Sequence, residues 1–357
     1  MSGAHHLVCA AGIPNYGDEL IAATWLRYLA ERAPDTDVVV DCLYPENAAA
    51  RLTGIHPRAR FTNVLWQLCL SQWGEDDPAV VCARVAEKAA GGLDGARVIH
   101  LAGGGFLNGL WPVFSGLLAG IVAGGESGGA RIAATGQGLW PPVEGGGLVR
   151  SLLDRFDVVD VRDAPSASYA GVAEDAVLAD DVFLGFGARL LRVGEEVPEV
   201  MVSVQSLTAE GAAGETVRWV AEVLRVWGVR EVGLLECSPD IDREVLALAE
   251  ESLPVVRRYS LDDVLARGLP ARAGQCWIST RFHPHLVAAA AGAVGVALDV
   301  RPDYYGTKHR SLIDGGSGWR LLERGEIPER PVGGGYEAGR LRELRDAKAA
   351  VAGRIYG

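Results

Sequence analysis

The feature that most constrains this fold is an alternation of short apolar runs with longer amphipathic runs. Uninterrupted apolar strands separated by helices indicate a parallel sheet that is covered by helices on both faces. A helix is predicted at Asp18–Arg32. The strands predicted in the first half of the chain are His6–Ala11, Val38–Leu43, Arg97–Ala102, Arg131–Thr135 and Val158–Arg162.

The same pattern restarts near residue 200, after the glycine-containing segment Gly185–Pro198, which is polar at its end and which we interpret as a linker. A helix is predicted at Glu215–Val226. The second set of predicted strands is Val200–Val204, Glu231–Glu236, Val255–Tyr259, Cys276–Ser279 and Val294–Leu298. The expected fold class is therefore α/β, with two doubly wound Rossmann-like domains facing a cleft, a preferred location for ligands.

The predicted domain boundaries follow from these two series. Residues 1–190 would form the N-terminal domain and residues 191–334 the C-terminal domain. Residues 335–357 carry Leu341, Leu344 and Ala347 at helical spacing, which indicates a closing amphipathic helix that could pack back on the first domain.

Composition and charge exclude several classes of protein. The chain has 357 residues, of which 49% are hydrophobic and 22% charged, so it has ample material for buried cores. Its net charge of −12 argues against nonspecific nucleic-acid binding and provides no attraction to an anionic membrane. The uncharged stretch Leu101–Gly125 is rich in glycine and interrupted by Pro112, so we interpret it as interior loop and helix.

The cysteines and the N-terminus indicate a cytoplasmic protein. The six cysteines form no C-x-x-C pair, so we expect reduced thiols in the core. No basic region followed by an apolar one is present at the N-terminus, so no signal peptide is predicted.

The clearest functional signal is a set of basic residues in a region that otherwise reads as buried strand and helix. Arg281 and His283 follow a predicted strand, and Lys308 follows a turn soon afterwards. We expect Arg281 and His283 to face the same side because residues two apart do so in extended chain, with Pro284 starting the next helix. A lone histidine is more often structural, but the three together suit an acidic, phosphorylated small molecule. His285 and His309 rank lower, and the lack of metal-type histidine spacing predicts no metal site.

Two loops that follow strands are further candidates. Asn15 suits a tight turn, and Asp18 could cap the following helix. The exposed amides of that loop could instead bind an anion. The triplet Gly103-Gly104-Gly105 allows close approach of a ligand, although by itself it is equally consistent with a simple turn.

Three more strand exits carry polar residues. Gln137 lies in the glycine-containing stretch Thr135–Pro141. Arg162 could be paired with Asp163, or it could form a fork for a carboxylate or phosphate. Asp180 and Asp181 follow the next predicted strand, and either could orient an arginine or contact a hydroxyl group.

In order along the chain, these pieces resemble the polysaccharide pyruvyl transferase family. The shared motifs are N-x-G-D, G-G-G-x-L, T-G-Q-G-L-W-P, V-R-D-x-x-S, an acidic D-x-F, S-x-R-x-H and Y-x-x-x-K, over about residues 10–315. The resemblance implies a GT-B type fold and transfer of pyruvyl from phosphoenolpyruvate to a sugar of a surface polysaccharide or its lipid-linked precursor. The chain departs from the resemblance in two places. Gln205 stands where many members of the family have an arginine, and residues 41–96 match no distinctive motif.

The hypothesis that follows gives His283 the role of general acid, with Asp18 or Asp180 as a candidate base. Arg281, Lys308 and Arg162 would hold phosphoenolpyruvate, which is the donor substrate, and no cofactor or metal is required. The remaining predicted substrate-binding residues are Asn15, Gly104, Gly105, Gln137 and Asp180.

Two other functions remain open at this point. The same architecture could belong to a GT-B glycosyltransferase that uses a nucleotide sugar, and a sugar-binding or scaffold protein is a third alternative. The expected location is the cytoplasm, with at most peripheral contact at the inner membrane face. The sequence leaves open the acceptor, the position and stereochemistry of the ketal and the oligomeric state.

Overall fold

A computed structural model describes residues 3–145, 147–205 and 212–357 of the chain. The chain forms two compact units, which we describe separately. Unit 1 contains the residues up to Ile13, together with Asp18–Gly185 and Leu344–Gly357. Unit 2 contains Pro14–Gly17 and Phe186–Glu343.

Unit 1 is built on a parallel sheet with the strand order β3-β2-β1-β4-β5-β6 among its described residues. Its strands are β1 (Ala4–Val8), β2 (Val38–Asp41), β3 (Ala59–Thr62), β4 (Ala96–Leu101), β5 (Arg131–Gln137) and β6 (Val158–Val161). Its helices are α1 (Tyr16–Arg32), α2 (Pro45–Leu52), α3 (Leu65–Leu70), α4 (Pro78–Ala89), α5 (Ser115–Gly128), α6 (Leu148–Leu153) and α7 (Ala164–Ala170). The order reverses between β1 and β4, as in a doubly wound fold.

Helix α5 contains the second half of the uncharged stretch Leu101–Gly125. Its glycines allow close packing, because a Cβ on Gly120 would lie 2.8 Å from Leu65 and one on Gly116 would lie 3.0 Å from both Cys69 and Val85. The interior position predicted for this segment is thereby confirmed. Among the described residues, no helix combines the length and the apolarity that crossing a membrane requires.

Unit 2 repeats the topology with the strand order β12-β11-β10-β7-β8-β9 among its described residues. Its strands are β7 (Val200–Ser203), β8 (Glu231–Leu235), β9 (Val255–Tyr259), β10 (Cys276–Ser279), β11 (Val294–Leu298) and β12 (Arg320–Leu322). Its helices are α8 (Ala212–Val226), α9 (Pro239–Ser252), α10 (Leu261–Arg267), α11 (Phe282–Ala290) and α12 (Thr307–Leu312). The predicted fold class, two doubly wound Rossmann-like domains of the GT-B type, is confirmed.

The last helix, α13 (Ala338–Tyr356), carries a fully buried lysine into unit 1. The Lys348 ammonium lies 2.6 Å from Asp160 Oδ1 and 2.8 Å from Asp181 Oδ1. The second oxygen of Asp181 accepts hydrogen bonds from the indole of Trp25 and the hydroxyl of Thr135. Burial raises the pKa of Asp160 to about 6, although Lys348 opposes this shift. This network ties the last helix to β5 and β6 of the sheet.

The six cysteines are buried and unpaired, as predicted. Burial raises the pKa of Cys42 and of Cys237 to about 12. These thiols are therefore protonated and inert near neutral pH.

Candidate functional site

The candidate site in unit 2 lies where the order of its sheet reverses, between β7 and β10. Open α/β sheets bind ligands outside the carboxyl ends of their strands at such a switch point. Gln205 follows β7, and Thr280 follows β10. The two loops are joined because Gln205 Nε2 donates a hydrogen bond of 2.9 Å to the carbonyl of Thr280.

Arg281 lies in this position and is almost completely buried. It precedes α11 in extended conformation, and the Ser279 hydroxyl holds it there by accepting from its amide at 3.0 Å and donating to its carbonyl at 2.8 Å. Its Nη2 donates to Asp242, which is fully buried. Burial opposes the charge on Arg281, but Asp242 prevails and the pKa of the guanidinium stays above its ordinary value.

Several polar atoms around this position have no hydrogen-bond partner among the residues that the structure describes. They are Arg281 Nε, Thr280 Oγ1 and Gln205 Oε1, and all are buried. Buried polar groups in proteins are nearly always satisfied by protein, water or ligand. A local cluster of such atoms therefore marks a place where water or a polar ligand can be bound.

His283 lies beside this arginine but not in the manner that the sequence predicted. The expectation that both side chains project from one extended segment is wrong, because β10 ends at Ser279 and α11 begins at Phe282. His283 is the second residue of α11, and Pro284 is its third rather than its first. Arg281 and His283 are thus placed together at the N-terminus of a helix, where the helix dipole favours anions.

The imidazole of His283 packs directly against the backbone of Gly17. A Cβ at Gly17 would lie 1.8 Å from His283 Nδ1, so only glycine fits there. Asn15 shapes this loop because its side chain accepts a hydrogen bond of 3.0 Å from the Gly17 amide. Asn15 therefore occupies the N-cap position of α1, for which the sequence suggested Asp18. Asp18 is the third residue of the helix.

Lys308 is linked to Arg281 through a pair of tyrosines that precede it. Its ammonium lies 3.5 Å from the ring centre of Tyr304 and 5.2 Å from that of Tyr305, which is the geometry of cation–π contacts. Burial raises the pKa of Tyr305 to about 12, whereas the nearby Arg281 lowers it. Tyr305 also hydrogen-bonds Gln205, so its side chain connects the two cations with the switch point.

The two histidines ranked lower in the sequence form a buried pair instead of a site. His285 Nδ1 lies 3.0 Å from His309 Nδ1, and His285 Nε2 lies 2.9 Å from the Ser317 hydroxyl. The ring of His285 also stacks on Trp319. Burial lowers the pKa of His309 to about 4, so the pair is neutral and joins α11 to α12.

Five candidate residues of unit 1, Gly104, Gly105, Gln137, Arg162 and Asp180, lie in segments at or after the carboxyl ends of β4, β5 and β6. Arg162 lies over Gly138, where a Cβ would be 2.2 Å from its Nη2. Its guanidinium is 3.7 Å from Asp163 and 3.9 Å from Asp180. Arg162 is therefore buried near two carboxylates, as in the paired alternative that the sequence allowed.

The glycine loop and Gln137 of unit 1 form a close backbone contact. Gly104 pairs with Gln137, and the Gly138 amide donates to the Gly104 carbonyl at 2.9 Å. The side-chain Nε2 of Gln137 donates to the backbone carbonyls of Leu101, Ala102 and Thr135. These bonds give Gln137 a role in holding strand ends together. The carbonyl of Gly105 accepts from the side chain of Asn108 at 2.7 Å, which shapes the same loop.

Comparisons with known proteins agree with this architecture. The polysaccharide pyruvyl transferase family matches residues 15–203, which is more than half of the chain, so the protein belongs to this family. The family implies a transferase with a sugar or polysaccharide acceptor. A comparison with curated proteins found no match.

Solved structures show the likeness of fold. A candidate UDP-N-acetylglucosamine 2-epimerase from Listeria monocytogenes has 12% identity and a TM-score of 0.55, with 100% of this chain and 93% of that chain covered. The UDP-N-acetylglucosamine 2-epimerase from Neisseria meningitidis, bound to UDP-GlcNAc, has 10% identity and a TM-score of 0.54, with 99% of both chains covered. At these identities the likeness concerns the fold alone.

Proposed function

We propose that this protein transfers a pyruvyl group from phosphoenolpyruvate to two hydroxyls of a sugar, with release of phosphate. Membership of the pyruvyl transferase family supports the type of transfer. The observation that carries the choice of donor is the buried Arg281, whose Nε–H has no partner among the described residues, beside His283 at the N-terminus of α11. Arginine and a helix N-terminus together suit the carboxylate and phosphate of this donor.

In this mechanism the cations of unit 2 hold the donor. Arg281 binds its carboxylate or phosphate, and Lys308 supplies a second positive charge, which stabilises the phosphate as it leaves. Asn15 and the loop at Gly104 and Gly105 remain candidates for contact with substrate.

The chemistry then needs one proton donor and one acceptor. His283 protonates the methylene carbon of phosphoenolpyruvate, so that the central carbon gains oxocarbenium character. One sugar hydroxyl adds to that carbon and gives up its proton to a base, for which Asp18 and Asp180 are candidates. The second hydroxyl forms another bond to the same carbon while the bond to phosphate breaks, and its proton passes to the deprotonated imidazole of His283, which restores the acid. The products are a cyclic pyruvyl ketal and inorganic phosphate.

The acceptor in this proposal is a sugar of a surface polysaccharide or of a glycolipid precursor. The reaction would take place in the cytoplasm or at the inner face of the membrane, where phosphoenolpyruvate and such precursors meet.

The donor is tested by ligand-dependent thermal shift. A ligand at a hundredfold excess over its Kd stabilises the native state by about 2.7 kcal/mol, which raises the melting temperature by several degrees. We expect this shift with phosphoenolpyruvate and not with UDP-sugars. A shift with UDP-sugars alone would favour a glycosyltransferase and refute the donor.

The role of His283 needs a separate test, because binding and chemistry can fail independently. His283→Ala should retain the fold and the donor affinity of the wild type, since it truncates a single half-buried side chain. It should abolish phosphate release with the acceptor that supports wild-type turnover. Phosphate release at the wild-type rate would show that another group is the acid.

A further inference from the structure

The buried carboxylate of Asp242 lies in the first turn of α9 and contacts the candidate site through Arg281. Its Oδ1 accepts from Arg281 Nη2, and its Oδ2 accepts from the amides of Cys237 at 3.3 Å and Ser238 at 3.0 Å. Both oxygens are therefore held by the protein. A carboxylate fixed in this way also fixes the guanidinium that is bonded to it.

The same turn holds the loop on which His283 rests. The carbonyl of Cys237 accepts a hydrogen bond of 2.8 Å from the amide of Tyr16. Tyr16 precedes Gly17, against which the imidazole of His283 packs. One turn thus supports Arg281 directly and His283 through the adjoining loop.

We propose that Asp242 is a positioning residue for the donor site. It holds Arg281 by one edge so that the Nε–H, which has no partner among the described residues, stays available for the anion. It does not touch the donor itself. The identity of that anion as phosphoenolpyruvate rests on the proposed function, whereas the positioning role requires only an anion bound by Arg281.

The direction of the effect separates positioning from simple electrostatics. A carboxylate next to an anion site repels the anion, so its neutralisation alone would tighten binding. If Asp242 positions Arg281, neutralisation instead releases the guanidinium to adopt other rotamers, and binding weakens. The two explanations therefore predict changes of opposite sign.

The test is isothermal titration calorimetry of phosphoenolpyruvate and of inorganic phosphate with four proteins: the wild type, Asp242→Asn, Arg281→Gln and the double variant. We expect Asp242→Asn to raise the Kd about tenfold or more, as expected for loss of one partner of a buried charge pair. The double variant should bind no more weakly than Arg281→Gln, because Asp242 acts through that arginine.

Glu236→Gln is the matched control. Glu236 is also a buried acid of unit 2 that follows a strand, and it bonds Arg258 at 2.5 Å and the Leu261 amide at 3.2 Å. Its neutralisation should lower the melting temperature in the same way as Asp242→Asn but leave the Kd unchanged. If Asp242→Asn does not fold, Asp242→Glu replaces it, since it keeps the charge but displaces it, and should also raise the Kd.

Each outcome decides the proposal. An unchanged or lower Kd in Asp242→Asn, or additive losses in the double variant, would overturn it. A wild type that binds UDP but not phosphoenolpyruvate would refute the proposed donor, and the same variants titrated with UDP would then decide the role of Asp242. A wild type that binds none of these anions would overturn the donor and the positioning role together.

Discussion

Lys348→Met is the most demanding test of how unit 1 is held together. The ammonium of Lys348 is fully buried and lies within 2.8 Å of both Asp160 and Asp181. Removing one member of a buried charge network leaves the other charges uncompensated, which costs about 3–5 kcal/mol. For a unit of roughly 200 residues, where 1 kcal/mol shifts the melting temperature by about 2–4 °C, the expected loss is roughly 6–20 °C.

The effect should also depend on pH. Without the lysine, burial keeps the pKa of each carboxyl above its unfolded value, as it already does for Asp160, whose pKa is about 6. An acid with a raised pKa in the folded state binds its proton more readily there than in the unfolded chain. The folded variant therefore gains stability as the pH falls, and its deficit relative to the wild type should shrink between about pH 7 and pH 5.

Urea unfolding followed by circular dichroism at several pH values measures this deficit, with Lys88→Met as the control. Lys88 is exposed near the end of α4, so its replacement should change the free energy of unfolding by less than about 0.5 kcal/mol. If Lys348→Met is destabilised by no more than Lys88→Met, or if its deficit does not vary with pH, the buried network does not hold unit 1 together as described.

Three further predictions concern single side chains. Gly17→Ala should reduce phosphate release about 100-fold because it displaces the His283 ring, whereas Gly187→Ala, with open space around its Cβ, should leave the rate unchanged; equal rates would contradict the packing of His283. Asn15→Ala should cost about 1 kcal/mol in urea unfolding through loss of the α1 cap, and no loss would mean that the cap is dispensable. Burial lowers the pKa of His100 to about 4 in the folded state, so stability should fall as the pH drops below about 6.5, by at most about 1.4 kcal/mol per pH unit for this group. His100→Gln should make that fall shallower, and an unchanged slope would be inconsistent with a buried neutral ring.

Much of the fold is predictable from the sequence because most of its strands are buried on both faces, although the edge strand β9, which was also predicted, is largely exposed. The predicted bounds of β9, β10 and β11 agree with the structure, and the other predicted strands differ from it by a few residues at their ends. Strand β3 was not predicted because it is short and only half-buried, so its residues lack the continuous apolar run of a central strand. Strand β12 has only three residues and is likewise only partly buried, so it also lacks a continuous apolar run.

The polar network of the site could be predicted only in part. Glycine turns and basic residues after strands are visible in the sequence, and they drew attention to Arg281 and His283. Nothing local indicates that Asp242 is the partner of Arg281, since the two residues are separated by 39 positions and meet only in the folded unit 2. Helical periodicity likewise indicates the apolar face of α13 but does not predict that Lys348 is buried. That burial depends on Asp160 and Asp181, which are distant in sequence.

The most direct test of the proposed donor site is calorimetric titration of phosphoenolpyruvate into the wild type, Arg281→Gln and Arg258→Gln. Arg258 lies in β9 of unit 2 and, like Arg281, pairs with a carboxylate, so its replacement controls for the loss of one positive charge. We predict saturable binding to the wild type and to Arg258→Gln, and at least tenfold weaker binding to Arg281→Gln, as expected when a charged hydrogen bond to the ligand is lost. Binding of phosphoenolpyruvate to Arg281→Gln with the wild-type Kd would contradict this account.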